Sequence, residues 1–349
     1  MKRDIKSMHP AELKEYFESI GEQPFRAKQV FSWLHKGLYE FSSMTNLSSG
    51  LREKFNKEFF ISTLKLNEKQ VSSDGTVKYL WLTQDDDMVE CVLMEYSHGN
   101  TVCISTQVGC RMGCRFCASS IGGLKRNLAA SEMLDQVLFT GQDSGKRISN
   151  VVLMGIGEPL DNFDNVMKFI QIINHPNGMN IGSRHLTLST CGIIENIDRL
   201  AEYDVQLTLA ISLHAPDDDT RSHLIPINRQ TGVNELIKSS LRYFKKTGRR
   251  VTFEYALIDG INDTPEQAVL LSKLLKNTPS HLNIIRLSNV SERKLNASSK
   301  DSTGKFISIL EKNSVNFTIR RSLGADIEAA CGQLRRRVLQ NTQISTQST

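Results

Sequence analysis

The first 60 residues place apolar side chains three and four positions apart. Leu13, Tyr16, Phe17 and Ile20 predict a helix over 11–20, and Gly21 stops it. Pro24 opens a second helix whose stripe is Phe25, Val30, Phe31, Trp33 and Leu34, with Arg26, Lys28, His35 and Lys36 left to solvent. A third helix starts near Ser48 and carries Leu51 and Phe55. From residue 61 to 96 the period shortens. The stretches 76–82 and 88–94 are rich in β-branched and aromatic residues and read as strands joined by a turn at 84–87. Glu90 sits inside the second of them. Such a carboxylate usually faces solvent from the alternate face. Held at the mouth of a cavity, it could instead serve as a base with its pKa raised by burial.

From residue 96 onward, strand and helix signals alternate. Strands are expected over 101–106, 150–154, 185–189, 205–213, 251–257, 282–287 and 315–319. Helices are expected over 130–139, 162–173, 195–202, 235–246, 265–275 and 306–312. This βαβ alternation implies an α/β fold, a parallel sheet with helices outside it. Six or so units are too few for the usual closed eight-fold barrel. An open partial barrel or a doubly wound sheet fits better, with chemistry at the C-terminal strand ends. The chain therefore divides into a helical domain over 1–60, a β extension over 61–95 and an α/β core over 96–335. A polar tail over 336–349 is expected to be disordered.

Composition adds modest constraints. Of 349 residues, 39% are hydrophobic and 23% charged, which suits a globular chain with ample core. No apolar run approaches membrane-spanning length, and the N-terminus lacks a signal peptide's apolar segment, so a cytoplasmic protein is expected. The net charge of +5 is compatible with an RNA partner without establishing one. The candidate phosphate contacts Arg26, Lys28, Lys125, Arg126, Arg249 and Arg250 each read more readily as solvated charges.

The cysteines change the picture. Seven is an odd number, and in a reducing compartment clustered thiols point to metal or catalysis rather than disulfides. Cys110, Cys114 and Cys117 fall within eight residues, so one loop could turn all three sulfurs to one centre. Thiolates select zinc, copper(I) or iron–sulfur clusters. Structural zinc sites and most cubane clusters take four protein ligands. Three ligands leave a position open, as a catalytic centre requires. On spacing alone a zinc site or a redox Cys-x-x-Cys remains a competitor. Other candidates lie at predicted strand ends: Gly155-Ile-Gly-Glu-Pro159, whose glycines would let amides approach a ligand, Ser189 to Gly192, and Ser212-Leu213-His214. His214 reads first as a hydrogen-bonded structural histidine. Cys331, taken alone, reads as a small buried apolar residue.

Taken together these motifs resemble a known family. Cys110-x-x-x-Cys114-x-x-Cys117 matches the signature of radical S-adenosylmethionine (SAM) enzymes. Cys103 to Cys110, Gly155 to Pro159, Ser212 to Pro216, Pro226-Ile-Asn228, Ala329 to Leu334 and Gly21 to Gln29 are similar to the RlmN/Cfr-type RNA methyltransferases. The resemblance covers nearly the whole chain apart from its tail. It implies a partial (β/α)6 radical SAM barrel with an N-terminal RNA-binding accessory domain. Cys110, Cys114 and Cys117 would hold a 4Fe-4S cluster whose open iron binds SAM. Gly157, Glu158, Ser189, Ser212, Leu213 and His214 would line the SAM pocket. Ser288 stands where the family usually has Asn, with Asn289 beside it. Cys331 resembles a methyl-carrying cysteine, Cys103 its partner thiol and Glu90 the general base. Cys91 and Cys191 read as structural thiols.

The implied target is an sp2 carbon of adenine, which resists simple methyl transfer, so the cofactor supplies radical chemistry. Two SAM are consumed per turnover. The methylene radical on Cys331 adds to the base, Glu90 removes a proton, and Cys103 attacks the Cys331 sulfur to release the product. An external donor such as flavodoxin or ferredoxin is expected, and the chain is expected to act as a monomer. The residues 118–124 and Pro159 favour methylation at C2 of an adenosine in 23S rRNA, and beside the anticodon of tRNA, over the Cfr-type C8 branch. A non-catalytic iron–sulfur RNA-binding module is the remaining alternative.

Overall fold

The computed structural model describes residues 2–288, 290, 292–327 and 332–347, the side chains as far as residue 341. Near the N-terminus, β1 (Arg3–Asp4) pairs in parallel with β2 (Phe59–Phe60) and closes a helical unit of α1 (Pro10–Ser19), α2 (Phe25–Leu34) and α3 (Ser49–Glu58). Two of the three helices start on side-chain caps, whereas α2 follows Pro24 without one. His9 and Glu12 form a capping box for α1, and the Ser48 hydroxyl accepts the Leu51 N–H to start α3. Tyr16, Phe17, Phe55 and Phe59 meet at ring-centroid distances of 4.8–6.0 Å to form the core of this unit.

A buried ion pair joins this unit to the rest of the chain. Lys6 Nζ lies 2.7 Å from Asp135 Oδ1 and donates to the Ser62 carbonyl at 2.7 Å. Burial pushes the Asp135 carboxyl up, to about 7, against the pull of Lys6. Lys6→Met would remove only the cation. It should destabilise the fold by roughly 3–5 kcal/mol at pH 8, where Asp135 would have to stay buried without its cation or take up a proton. Because the folded-state pKa is raised, stability is retained below the unfolded-state value and lost as pH climbs through about 7. Urea titrations should therefore find a smaller deficit at pH 5 than at pH 8; an equal deficit would overturn this reading.

The β extension comprises β3 (Lys65–Val71), β4 (Val77–Leu82) and β5 (Met88–Tyr96), antiparallel to one another and to β6 (Gly99–Cys103). After β6 come two short antiparallel strands, β7 (Gln107–Gly109) and β8 (Leu124–Asn127), which flank the cysteine loop. The core then alternates: α4 (Ala130–Ser144), β9 (Ile148–Leu153), α5 (Phe163–Asn174), β10 (Leu186–Thr190), α6 (Ile194–Ala201) and β11 (Thr208–Ser212). It continues through α7 (Asp218–Leu224), α8 (Asn228–Thr247), β12 (Val251–Leu257), α9 (Pro265–Leu275), β13 (Ser280–Arg286), α10 (Lys300–Lys312) and β14 (Phe317–Ile319).

One ten-stranded sheet results, ordered β14-β13-β12-β11-β10-β9-β6-β5-β4-β3, and it is parallel from β6 to β14. The expected α/β architecture is present, with β14 and β3 as its edges. The expected helix over 235–246 is the second part of α8, which breaks at Gly232 with φ of +73°. Helix α7 had no signal in the pattern, because only Arg221 and Leu224 of its residues are buried.

The tail is a correction. The reading of 336–349 as disordered fails for its described part, because α11 (Gln333–Gln347) is helical. Leu334 is fully buried, and the other anchors are polar and distant. Glu90 accepts the N–H groups of Gly332 and Arg335, Arg336 Nε lies 2.7 Å from Glu292, and Arg337 pairs with Glu68. Composition does not reveal such anchors.

Candidate active site

Four strand ends and one loop build the site. Cys103 is buried at the C-terminal end of β6, next to Val152 of β9 and Val92 of β5. Just beyond it, Ser105 is fully buried. Its hydroxyl donates to the Glu90 carbonyl at 2.6 Å and accepts the Ile156 N–H at 3.1 Å, tying β5 to the glycine loop after β9.

The cysteine loop leaves β7 and returns through β8. Cys110 is buried, while Cys114 and Cys117 are partly exposed. Burial, with the charge of Cys117 secondary, pushes the Cys110 thiol up to about 12. Burial and both neighbouring thiols push Cys114 up as well. Among the described residues no three His, Cys, Asp or Glu side chains are gathered as a finished metal site. The donor set nonetheless fits a soft, thiolate-bound cluster. Three thiols lie on one loop, the other two raise the proton affinity of Cys114, and a bound cation would relieve that repulsion. The loop rests on an apolar layer of Met112, Cys114 and Phe116 over Leu224, Ile225, Ile258 and Leu287.

The glycine loop departs from expectation in one respect. Gly157 has φ of +112°, and a Cβ there would lie 2.7 Å from Gln107 Cβ and 2.8 Å from Gln107 N. The close approach it permits is therefore to the chain itself. The Glu158 N–H donates to Gln107 Oε1 at 2.8 Å. The Glu158 carboxylate is buried, accepting the Leu160 N–H at 3.0 Å and the Cys191 N–H at 2.8 Å. It thus clamps the end of β10 to the loop, and burial raises its pKa.

Ser189 and Ser212 are half-buried on β10 and at the end of β11, and Leu213 is buried. His214 is buried at φ of +54°, its Nδ1 accepting the Ala256 N–H at 2.9 Å. Burial lowers its pKa to about 3, so the imidazole is neutral, with its proton on Nε2. Its ring meets Phe116 of the cysteine loop edge-on at 4.7 Å. Ser288 is exposed just beyond β13. Cys331 lies outside the described residues.

Arg221 is the residue that the sequence did not announce. It is 1% exposed and donates to four acceptors: the carbonyls of Leu213 (3.0 Å), Cys191 (2.7 Å) and Ser212 (2.9 Å), and Asn228 Oδ1 (2.7 Å). It therefore joins the ends of β10 and β11 to the Pro226-Ile-Asn228 motif. Burial lowers its pKa to about 10, which leaves it cationic at neutral pH. Its only sequence clue is a position between two motifs.

Glu90 is 2% exposed, so it faces neither solvent nor an empty cavity. Lys78 Nζ lies 2.9 Å away, and the Glu90 oxygens accept the N–H groups of Gly332 and Arg335 at 2.6 Å each. Gly332 packs so tightly on the end of the cysteine loop that a Cβ there would lie 2.7 Å from Ser119 N. Glu90, the segment following Cys331 and the loop carrying Cys117 therefore meet.

Comparison with known proteins agrees with this arrangement. The Radical SAM superfamily model matches residues 104–271, and the model for the ribosomal RNA large subunit methyltransferase N-terminal domain matches residues 3–61. A probable dual-specificity RNA methyltransferase RlmN of Alkaliphilus oremlandii is 50% identical over 97% of this chain and 99% of its own. The chain belongs to the RlmN family of radical SAM RNA methyltransferases. A relative of the same description from Clostridium tetani is 48% identical over 95% of each chain. The crystal structure of a radical SAM methyltransferase from Sphaerobacter thermophilus superposes with a TM-score of 0.89 at 40% identity, covering 95% of this chain and 98% of that one. As an RlmN-family enzyme the chain acts on RNA, and its family's chemistry uses SAM and a 4Fe-4S cluster.

For an RlmN-family member, the basic candidates prove largely committed. Arg126 bonds Asp85 at 2.6 Å, Asp87 at 3.0 Å and Glu132 at 2.8 Å, and Lys125 bonds Asp87 at 2.5 Å. Arg26 bonds Gln29 and the Asn46 carbonyl, and Arg249 the Leu207 carbonyl and Thr208. No helix among the described residues is long and apolar enough to cross a membrane.

Proposed function

We propose that this enzyme methylates C2 of an adenosine in 23S rRNA, and of tRNA beside the anticodon. Cys110, Cys114 and Cys117 would hold the cluster, leaving one iron open to SAM. Together, cluster and SAM supply the one-electron chemistry that an unactivated sp2 carbon needs. Two SAM are used per turnover, the electrons come from a donor such as flavodoxin or ferredoxin, and the chain works as a monomer.

The chain's own residues then divide the remaining work. Cys331 carries the methyl carbon, Cys103 takes over the Cys331 sulfur at product release, and Glu90 takes the proton. Gly157, Glu158, Ser189, Ser212, Leu213, His214 and Ser288 border the SAM pocket. In that pocket Glu158 and Arg221 hold the strand ends by their inward hydrogen bonds, and neutral His214 braces the cysteine loop through Phe116. The apolar layer beneath the loop keeps water from the site.

One observation carries the reading. A buried carboxylate on β5 bonds the amide that follows Cys331, and that same glycine packs against Ser119, two residues after Cys117. C2 is preferred to C8 because residues 118–124 and Pro159 differ from the C8 branch. Mass spectrometry of nucleosides from cells lacking the gene, with and without complementation, is the test. Loss and return of 2-methyladenosine is expected, and an 8-methyl product would sink the assignment.

A further inference from the structure

Strand alternation gives β4 and β5 two faces. Tyr79, Trp81 and Cys91 turn toward α4, where Tyr79 donates to Asp143 at 2.8 Å and Cys91 Sγ lies 3.0 Å from Thr140 Oγ1. Lys78, Leu80, Glu90 and Val92 share the opposite face. That face would be open to solvent if the sheet stood alone, yet Lys78 and Glu90 are 0% and 2% exposed, because α11 crosses it. Glu90 Oε2 accepts the Gly332 N–H and Oε1 the Arg335 N–H, at 2.6 Å each, so the carboxylate caps the first turn of α11. Lys78 balances the buried negative charge from 2.9 Å. Arg337 pairs with Glu68, one strand further along the same sheet.

A second grip lies at the β3–β4 turn. Asp74 Oδ2 accepts the Gly324 N–H at 2.8 Å. Asp326 in return accepts the Ser73 N–H at 2.9 Å and the Ser72 hydroxyl. The extension therefore holds the chain on both sides of residues 328–331.

We propose that the β3–β5 extension is a two-point dock for the C-terminal segment, with Lys78 and Glu90 as positioning residues for the turn 332–335. Leu334 is fully buried, and the other grips on the segment are polar, so the order of the turn 332–335 depends strongly on these anchors. Where Glu90 is also the proton acceptor, as proposed above, it has two tasks.

The test is hydrogen exchange on the full-length chain without SAM or RNA, comparing wild type with Glu90→Gln and Lys78→Met. Exchange of amides 332–336 should accelerate at least tenfold in both variants, while amides of β4 and β5 keep their protection. Wild-type exchange at 332–336 in either variant would overturn the proposal. So would equal loss across β4 and β5, which would make the pair merely structural. Asp326→Asn, at an exposed position, should loosen residues 322–327; unchanged exchange there would remove the second grip. Because no reaction is run, the outcome does not depend on whether Glu90 acts as a base.

Discussion

Cys114→Ala is expected to give a folded protein that binds no iron–sulfur cluster and makes no methylated RNA. Cys114 is partly exposed on a loop, and its thiol contributes to the apolar layer beneath it, so truncation should cost only about 1 kcal/mol of stability. The chemical loss is much larger. The proposed cluster site needs all three thiolates, so the one-electron chemistry it would supply is lost with any one of them. Activity should fall at least about a thousandfold, equivalent to roughly 4 kcal/mol of barrier. Iron and sulfide content after anaerobic reconstitution, together with RNA methylation, are the measurements. Cys91→Ala is the control: Cys91 bonds Trp81 and Thr140 on the far face of the extension, so this variant should keep its iron. Wild-type iron content in Cys114→Ala would refute the ligand assignment.

Arg221→Leu should be strongly destabilising. The arginine is buried and satisfies three backbone carbonyls and the Asn228 side chain. Removing it takes a donor from four acceptors; the Leu213 carbonyl keeps the Ala215 N–H at 2.8 Å, and an acceptor left buried without a partner costs about 1–3 kcal/mol. Relief from burying the charge offsets part of this, leaving a net loss on the order of 3–5 kcal/mol. The loss is also local to function, because the same bonds set the ends of β10 and β11 and the His214 backbone beside the cysteine loop. Urea unfolding should show a lower midpoint at unchanged slope, with weaker SAM binding measured well below that midpoint. Stability within 1 kcal/mol of wild type would contradict the assigned role.

Much of the fold was legible because it rests on local rules. The N-terminal helices announce themselves through the stripes Leu13–Tyr16–Phe17 and Val30–Phe31–Leu34, and through caps such as Ser48. The alternation of buried strands with amphipathic helices is a local pattern too, and it implies a parallel sheet with chemistry at its C-terminal ends. Helix α7 escaped notice because its two buried residues are too few to make a stripe. Helix α11 escaped because its anchors lie more than 200 residues away in β3 and β5.

The site divides along the same line. Sequence by itself proposed the set of thiols, since Cys110, Cys114 and Cys117 lie on one loop, and the spacing of the surrounding motifs was enough to reveal the family. It also singled out Glu90 as a charge in an apolar strand. Only the tertiary structure decided what surrounds that charge: Lys78 two residues along the neighbouring strand's same face, and the amides of Gly332 and Arg335 from the far end of the chain. It likewise decided that Gly157 after β9 admits Gln107 and that Arg221 ties three motifs together. The physical reason is that local periodicity records which face of an element is apolar. The partner of a buried polar group is set by long-range packing, which no window of sequence contains.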